Sequence, residues 1–175
     1  MKLLAHISDD KTRTQTIEEH LISTAALAGN FAAAFGAQAE AAYTALLHDI
    51  GKYSAGFQQR LQGGPPVDHS TAGAKAAIQD GNIPAALAIA GHHSGIPDLG
   101  NPHDTADEST LVGRSKRRIE DCSQWKQEIS PAKAALPPWL LRQPDNLTMA
   151  FFTRMLYSSL VDADFIDTET FMDGK

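Results

Sequence analysis

Residues 16–35 read TIEEHLISTAALAGNFAAAF, and this stretch decides the fold class. Ile17, Leu21, Ala25, Ala28, Phe31 and Phe35 recur at three- and four-residue steps, the period of one helix face. Thr16 and Glu19 stand at capping-box spacing, and Gly36 falls where a left-handed residue ends a helix. Working outward, helices are predicted over 38–50 with Ala42, Leu46 and Ile50 inward, over 53–61, and over 69–79 closed by Gly81. Another spans 82–93, opened by Asn82 with Pro84 in its first turn and Ile83, Leu87 and Ala90 inward. A more polar helix is expected over 108–129. Pro131, Pro137, Pro138 and Pro144 then interrupt the chain before a last helix over 147–166, with Phe152, either Met155 or Leu156, and Ser159 inward. No β-branched run alternates with period two, and alanine is heavily used. The expectation is an all-α, compact helical bundle forming a single domain over 1–175.

At 175 residues and 42% hydrophobic content, the chain buries a sizeable core without disulfides or a structural metal, so a metal here would serve chemistry. Fifteen Lys and Arg against 21 Asp and Glu give a net charge of −6 and a pI near 5.6, against a broadly basic nucleic-acid clamp. A single cysteine, Cys122, excludes an intramolecular disulfide and suits a reducing compartment. No stretch approaches the roughly 20 apolar residues of a membrane-spanning helix. The opening residues 1–6 are too short for a secretory signal, so a cytoplasmic protein with no membrane partner is expected.

Seven histidines are present. Taken singly, His20 reads as a partly exposed helix histidine, His48 beside Asp49 as half of a structural imidazole–carboxylate pair, and His69 as a cap or turn residue. The adjacent His92 and His93 are harder to dismiss, because neighbours on a helix diverge by about 100° and both are rarely buried by chance. Imidazole and carboxylate groups gathered at two helix ends repay their desolvation only around a strong local charge.

In order, His20, His48-Asp49 and the late acidic segment Val161-Asp162-Ala163-Asp164-Phe165-Ile166-Asp167 resemble the HD superfamily of metal-dependent phosphohydrolases. Three further stretches sharpen this: Leu47-His48-Asp49-Ile50-Gly51-Lys52, Asp68-His69-Ser70-Thr71-Ala72-Gly73 and Gly91-His92-His93-Ser94-Gly95-Ile96-Pro97-Asp98. Together they look like the CRISPR-associated branch, the HD nuclease domain of the type I interference nuclease-helicase. That resemblance implies two divalent metal ions. One is held by His20, His48, Asp49 and Asp164, the other by Asp49, His69, His92 and His93, with Asp49 bridging. Asp164 fits the family's ending better than Asp162, which with Asp167 is left to cap, orient ligands or face water. Mixed imidazole and carboxylate donors favour Fe, Mn, Co, Ni or Zn, with Mg also admitted. Two such ions about 3.5–4 Å apart suit in-line displacement at phosphorus, and they leave the pocket positive in an acidic chain.

Asp49 and Lys52 are the catalytic candidates, with Lys52 a donor to a phosphate oxygen, an orienter of a ligand or a solvated lysine past a helix end; Ser70 resembles a family position that places substrate or a metal-bound water, or else caps a helix. It implies single-stranded DNA as substrate, and a helicase part and CRISPR surveillance complex as partners. No Gly-x-x-x-x-Gly-Lys-Ser/Thr loop is present, so unwinding belongs to another protein or another part of a longer one. The run Arg114-Ser115-Lys116-Arg117-Arg118 is either a track for a DNA backbone or a solvated helix face. Trp125 and Trp139 read as packing residues, His103 as a surface histidine, and Cys122 as having no nucleophilic role. Two rival readings stand: an HD phosphohydrolase of small or cyclic nucleotides, and a non-catalytic HD binding module.

Overall fold

The computed structural model describes residues 2–142 and 145–174, and it is predominantly helical, as expected. α1 (Ile17–Ala32) runs into a 3-10 turn at Ala33–Phe35, where Gly36 takes a positive φ of 70°. α2 (Gln38–His48) is followed by a 3-10 turn at Ile50–Tyr53 and by α3 (Ala55–Arg60). α4 (Ser70–Gln79) and α5 (Ile83–Gly91) form a hairpin, and α6 (Leu111–Lys116), α7 (Trp125–Glu128) and α8 (Pro138–Arg142) are short. α9 (Asn146–Asp173) closes the bundle, and no helix among the described residues is long and apolar enough to cross a membrane.

α1 packs on α2 and α9, while α5 packs on α2, α4 and α9. Ile17, Leu21, Leu47, Ile89, Phe152, Leu156 and Leu160 fill the space between them, with many buried alanines that let the axes approach closely. The predicted capping box of α1 is present: the Thr16 hydroxyl accepts from the Glu19 amide, and the Glu19 carboxylate accepts from the Thr16 amide.

Several sequence expectations are corrected. β1 (Leu4–Ile7) and β2 (Thr14–Thr16) form an antiparallel hairpin that no alternation announced, pairing His6 with Gln15. Arg13 donates to the carbonyls of Phe171 and Met172 at 2.7 and 2.9 Å, tying this hairpin to the C-terminal end of α9. α2 turns Ala41, Ala45 and His48 fully inward in place of Ala42 and Leu46, and α5 buries Ala85, Ala86 and Ile89 while Ile83 is exposed. The single helix expected over 108–129 is two short helices, because Arg117 leaves α6 with extended backbone. The last helix runs seven residues beyond its expected end. Pro144, expected to interrupt the chain, lies outside the described residues. Trp139 donates to the Phe35 carbonyl at 2.8 Å and packs edge-on against Phe152, and Trp125 is packed against the core, so both indoles serve packing.

Two glycines set the helix spacing around the ends that carry histidines. A Cβ on Gly73 of α4 would lie 1.9 Å from the Leu47 carbonyl oxygen, and one on Gly51 would lie 2.2 Å from the carbonyl oxygen of His69. Gly73→Ala must therefore push α4 off α2, and overpacking of this kind costs about 1–3 kcal/mol. Urea unfolding of the variant is expected to show a lower midpoint at an unchanged slope; an unchanged midpoint would refute this close contact.

Candidate metal centre

Five separate segments bring their polar ends to one place. His48 ends α2 and Asp49 follows as its C-terminal cap; His69 precedes α4; His92 and His93 follow α5; His20 faces inward from α1; and Asp164 projects from α9. His20, His48 and Asp49 are fully buried, His92 is 6% exposed, and His69 and Asp164 are partly exposed.

Asp49 lies at the middle. Its Oδ2 is 3.3 Å from His20 Nε2 and 3.3 Å from His48 Nε2, while its Oδ1 is 3.4 Å from both His69 Nε2 and His92 Nε2. Asp164 Oδ1 stands 3.3 Å from His20 Nε2 and 3.6 Å from His48 Nε2. His93 Nε2 is 2.8 Å from His69 Nε2. Two donor groups result, His20–His48–Asp49–Asp164 and Asp49–His69–His92–His93, each with ligand atoms within 4.8 Å of one another. Opposite ligands on a first-row divalent ion, with bonds of about 2.0–2.2 Å, span nearly the same distance.

The ring tautomers are fixed from behind. Nδ1 of His48 donates to the Ala45 carbonyl and Nδ1 of His92 to the Ile89 carbonyl, both at 2.7 Å. His69 does the same toward Val67 at 3.2 Å, and His20 donates to Asp167 Oδ2 at 2.7 Å. A carbonyl or carboxylate oxygen only accepts, so each Nδ1 carries the proton and each Nε2 offers a lone pair to the centre. Those inward atoms have no partner: Nε2 of His20, His48 and His92 and both oxygens of Asp49 are buried without a hydrogen bond. Each such atom costs about 1–3 kcal/mol, and one divalent cation per group would satisfy all of them.

Both groups consist of residues named from the sequence, and it is Asp164 that faces them, while Asp162 lines a different cleft with Phe31 and Phe151. Asp167 falls among the possibilities named for it, as the residue that orients His20; Gln15 also donates to its Oδ2, at 2.9 Å. His6 was missed. It projects from β1, stacks edge-on against the His20 ring at 4.8 Å, and accepts from Lys52 Nζ at 3.2 Å. Only the unrecognised hairpin could have placed it. Lys52 is buried, with Nζ 2.7 Å from Asp49 Oδ2 as an ion pair but off the line of a hydrogen bond. Ser70 does not face the ligand atoms; its hydroxyl donates to Asp68 at 3.3 Å and accepts from Arg114 at 3.4 Å. His103 is exposed, and Cys122 is buried with its thiol pKa raised by burial.

Electrostatics divide the imidazoles. Burial opposes charge on His48, but the Asp49 and Asp164 carboxylates outweigh it and raise its pKa to about 10; His20 is raised by Asp164, Asp167 and Asp49 against the same burial. Burial, with His92 adding, lowers His93 to about 4, and burial lowers His69 as well. Asp49 and Asp164 are held well below the ordinary carboxylate range despite burial, by the histidines around them and, for Asp49, Lys52. Before a cation enters, His20 and His48 hold protons where it would sit.

Two outcomes follow. Asp167→Ala removes the acceptor that orients His20 and is expected to weaken Mn²⁺ binding about 10–100-fold by isothermal titration calorimetry, with circular dichroism unchanged; wild-type affinity would refute that role. The raised groups protonate as pH falls, so protons compete with the metal. Mn²⁺ affinity should drop about tenfold between pH 8 and pH 7 for each proton displaced, and pH-independent binding would contradict imidazole ligation.

Comparison with curated proteins finds no match. The HD domain family model matches residues 17–125, more than half the chain, and takes in six of the seven residues of the two donor groups. The remaining one, Asp164, is brought in by α9 from beyond the matched region. With the family's helical bundle and its histidine–aspartate centre both in place, the chain belongs to the HD domain family of metal-dependent phosphohydrolases.

Proposed function

We propose that this chain is the HD nuclease of a CRISPR type I interference system, hydrolysing phosphodiester bonds of single-stranded DNA. In this reading two divalent transition-metal ions are held, one by His20, His48, Asp49 and Asp164 and one by Asp49, His69, His92 and His93. The observation that carries it is Asp49, whose two oxygens each face a different pair of imidazoles at 3.3–3.4 Å. When bound, such ions lower the pKa of water and neutralise phosphate charge during in-line displacement.

The chain's own residues divide the remaining work. His20, His48 and His92 form a buried floor, held by their Nδ1 hydrogen bonds, so the centre needs little reorganisation. His93 is exposed and His69 and Asp164 are partly so, which makes their side the one open to a phosphate group. Lys52, braced between Asp49 and His6, offers an ammonium group that can turn to a phosphate oxygen once a cation takes over the charge of Asp49. Phe57 lies beside it, with its ring centroid 5.5 Å from Nζ, and limits water around that amine.

The narrower assignment draws support from the Leu47–Lys52, Asp68–Gly73 and Gly91–Asp98 motifs, which surround the centre and resemble those of the CRISPR-associated branch. A helicase part and a surveillance complex are proposed partners on the same ground. Metal-loaded protein incubated with circular single-stranded DNA, deoxynucleoside triphosphates and cyclic dinucleotides tests the assignment. Nicking of the circle is the expected result. Turnover of the small substrates alone would replace the nuclease reading by a nucleotide phosphohydrolase, and no turnover by metal-loaded protein would leave a binding module. Asp49→Ala should lose metal binding and activity by more than the roughly 100-fold that loss of an orienting partner can cost; substantial cleavage by this variant would contradict a shared carboxylate.

A further inference from the structure

The basic run 114–118 is not a uniform cationic face. Lys116 donates to the carbonyls of Pro102, at 2.8 Å, and Asp104. Arg117 is committed to the Asp68 carboxylate at 3.1 Å and to the carbonyls of Ala106 and Glu108. Arg118 is exposed. Arg114 differs from all three. It is partly exposed, its charge helps hold the Asp68 carboxyl below its ordinary pKa without a close ion pair, and its Nε is buried without an acceptor. Its one hydrogen bond is long, from Nη1 to Ser70 Oγ at 3.4 Å.

We infer that Arg114 is an anion-binding residue, its guanidinium forming with the Ser70 hydroxyl a subsite for a phosphate group of the substrate strand, beside the His69–His92–His93 side of the centre. A guanidinium has five donors in a fixed fork matched to two oxygens of one phosphate, and a fork with a buried, unpartnered Nε and a single long contact has donors left for such a partner. Its place fits that partner. α6 packs against α4 and α5, the helices whose ends carry His69 and His92, and Ser70 directly follows His69. α6 is held firmly: Leu111 and Val112 amides donate to the carbonyls of Asp98 and Leu99 at 2.9 and 3.0 Å, and Thr110 caps the Gly113 amide.

Arg114 also lines a cleft of about 570 Å³ with Ser94, Gly95, Pro97 and Ser109, the chain that leaves His93. That volume is in the range of small-ligand sites. Asp98 and Glu108 line the same cleft and oppose an anion there, so the guanidinium, the cationic group of that lining, has to supply the attraction. The subsite rests on the nuclease reading, and it would hold a phosphate next to the one being cut.

The test is fluorescence anisotropy of a short labelled oligo(dT), with chelator present to prevent cleavage, using the full chain as wild type, Arg114→Gln, Arg114→Lys and Arg118→Gln. Arg114→Gln is expected to weaken binding about tenfold and lower the slope of log affinity against log salt by about one, with Arg114→Lys between it and wild type. Arg118→Gln should bind more tightly than Arg114→Gln, and calorimetric Mn²⁺ affinity should be unchanged in all. Binding by Arg114→Gln equal to wild type, an equal loss in Arg118→Gln, no binding by wild type, or misfolding of both Arg114 variants would overturn the subsite. Cleavage assays on the same proteins, metal-loaded and free of chelator, separate the two claims. Wild type that binds through Arg114 but never cuts DNA sinks the nuclease reading alone, and active wild type with Arg114→Gln binding normally sinks the subsite alone.

Discussion

A carboxylate with no accessible surface, ringed by four imidazoles and a lysine, is the constraint around which this bundle is arranged. Asp49 sits just past the C-terminal end of α2, where the helix dipole already disfavours negative charge, and burial adds to that cost. Lys52 supplies one cation at 2.7 Å, but it approaches only Oδ2. Two imidazoles then face each oxygen, and the carboxylates keep His20 and His48 protonated, so positive charge already gathers where a cation would sit. Divalent cations would replace those protons, and the packing of α1, α2, α5 and α9 serves to hold the arrangement.

The same elementary problem, how to fix an imidazole, is solved according to where each histidine lies. His48 and His92 are at helix ends, where the last carbonyls have no intrahelical partner, and each takes the carbonyl three residues back. His69 uses a loop carbonyl. His20 lies within α1, where backbone carbonyls are occupied, so it needs a side-chain acceptor from elsewhere. Asp167 provides it from α9, and Gln15 of the hairpin steadies that carboxylate in turn. The hairpin thereby earns its place in the fold, with Arg13 fastening it to the last turn of α9.

Much of this was legible in the amino-acid order because the ligands sit in contiguous motifs at helix ends. The helix of Ile17, Leu21 and Ala28 and the turn at Gly36 follow from period and punctuation, whereas the choice of Asp164 came from the family resemblance alone. The hairpin did not announce itself: strands of four and three residues are too short for alternation to register, and Thr16 already read as a helix cap. His6 stayed hidden with it. In α2, Ala42 and Leu46 match the helical period as well as Ala41 and Ala45 do, and only the demand that His48 face the centre selects the phase. The run 108–129 had helical composition, yet the side chains of Lys116 and Arg117 hold the 102–108 loop, and the chain turns extended at Arg117. The charge run read as one feature, but tertiary contacts commit Lys116 and Arg117 and leave Arg118 exposed.

The central claim is that the Asp49 carboxylate is shared, one oxygen to each of two cations. Anomalous diffraction at the manganese edge from crystals of the Mn²⁺-loaded protein tests it most directly. The account predicts two anomalous peaks flanking Asp49, one among His20, His48 and Asp164 and the other among His69, His92 and His93. A single peak away from Asp49, or none at full metal loading, would contradict it.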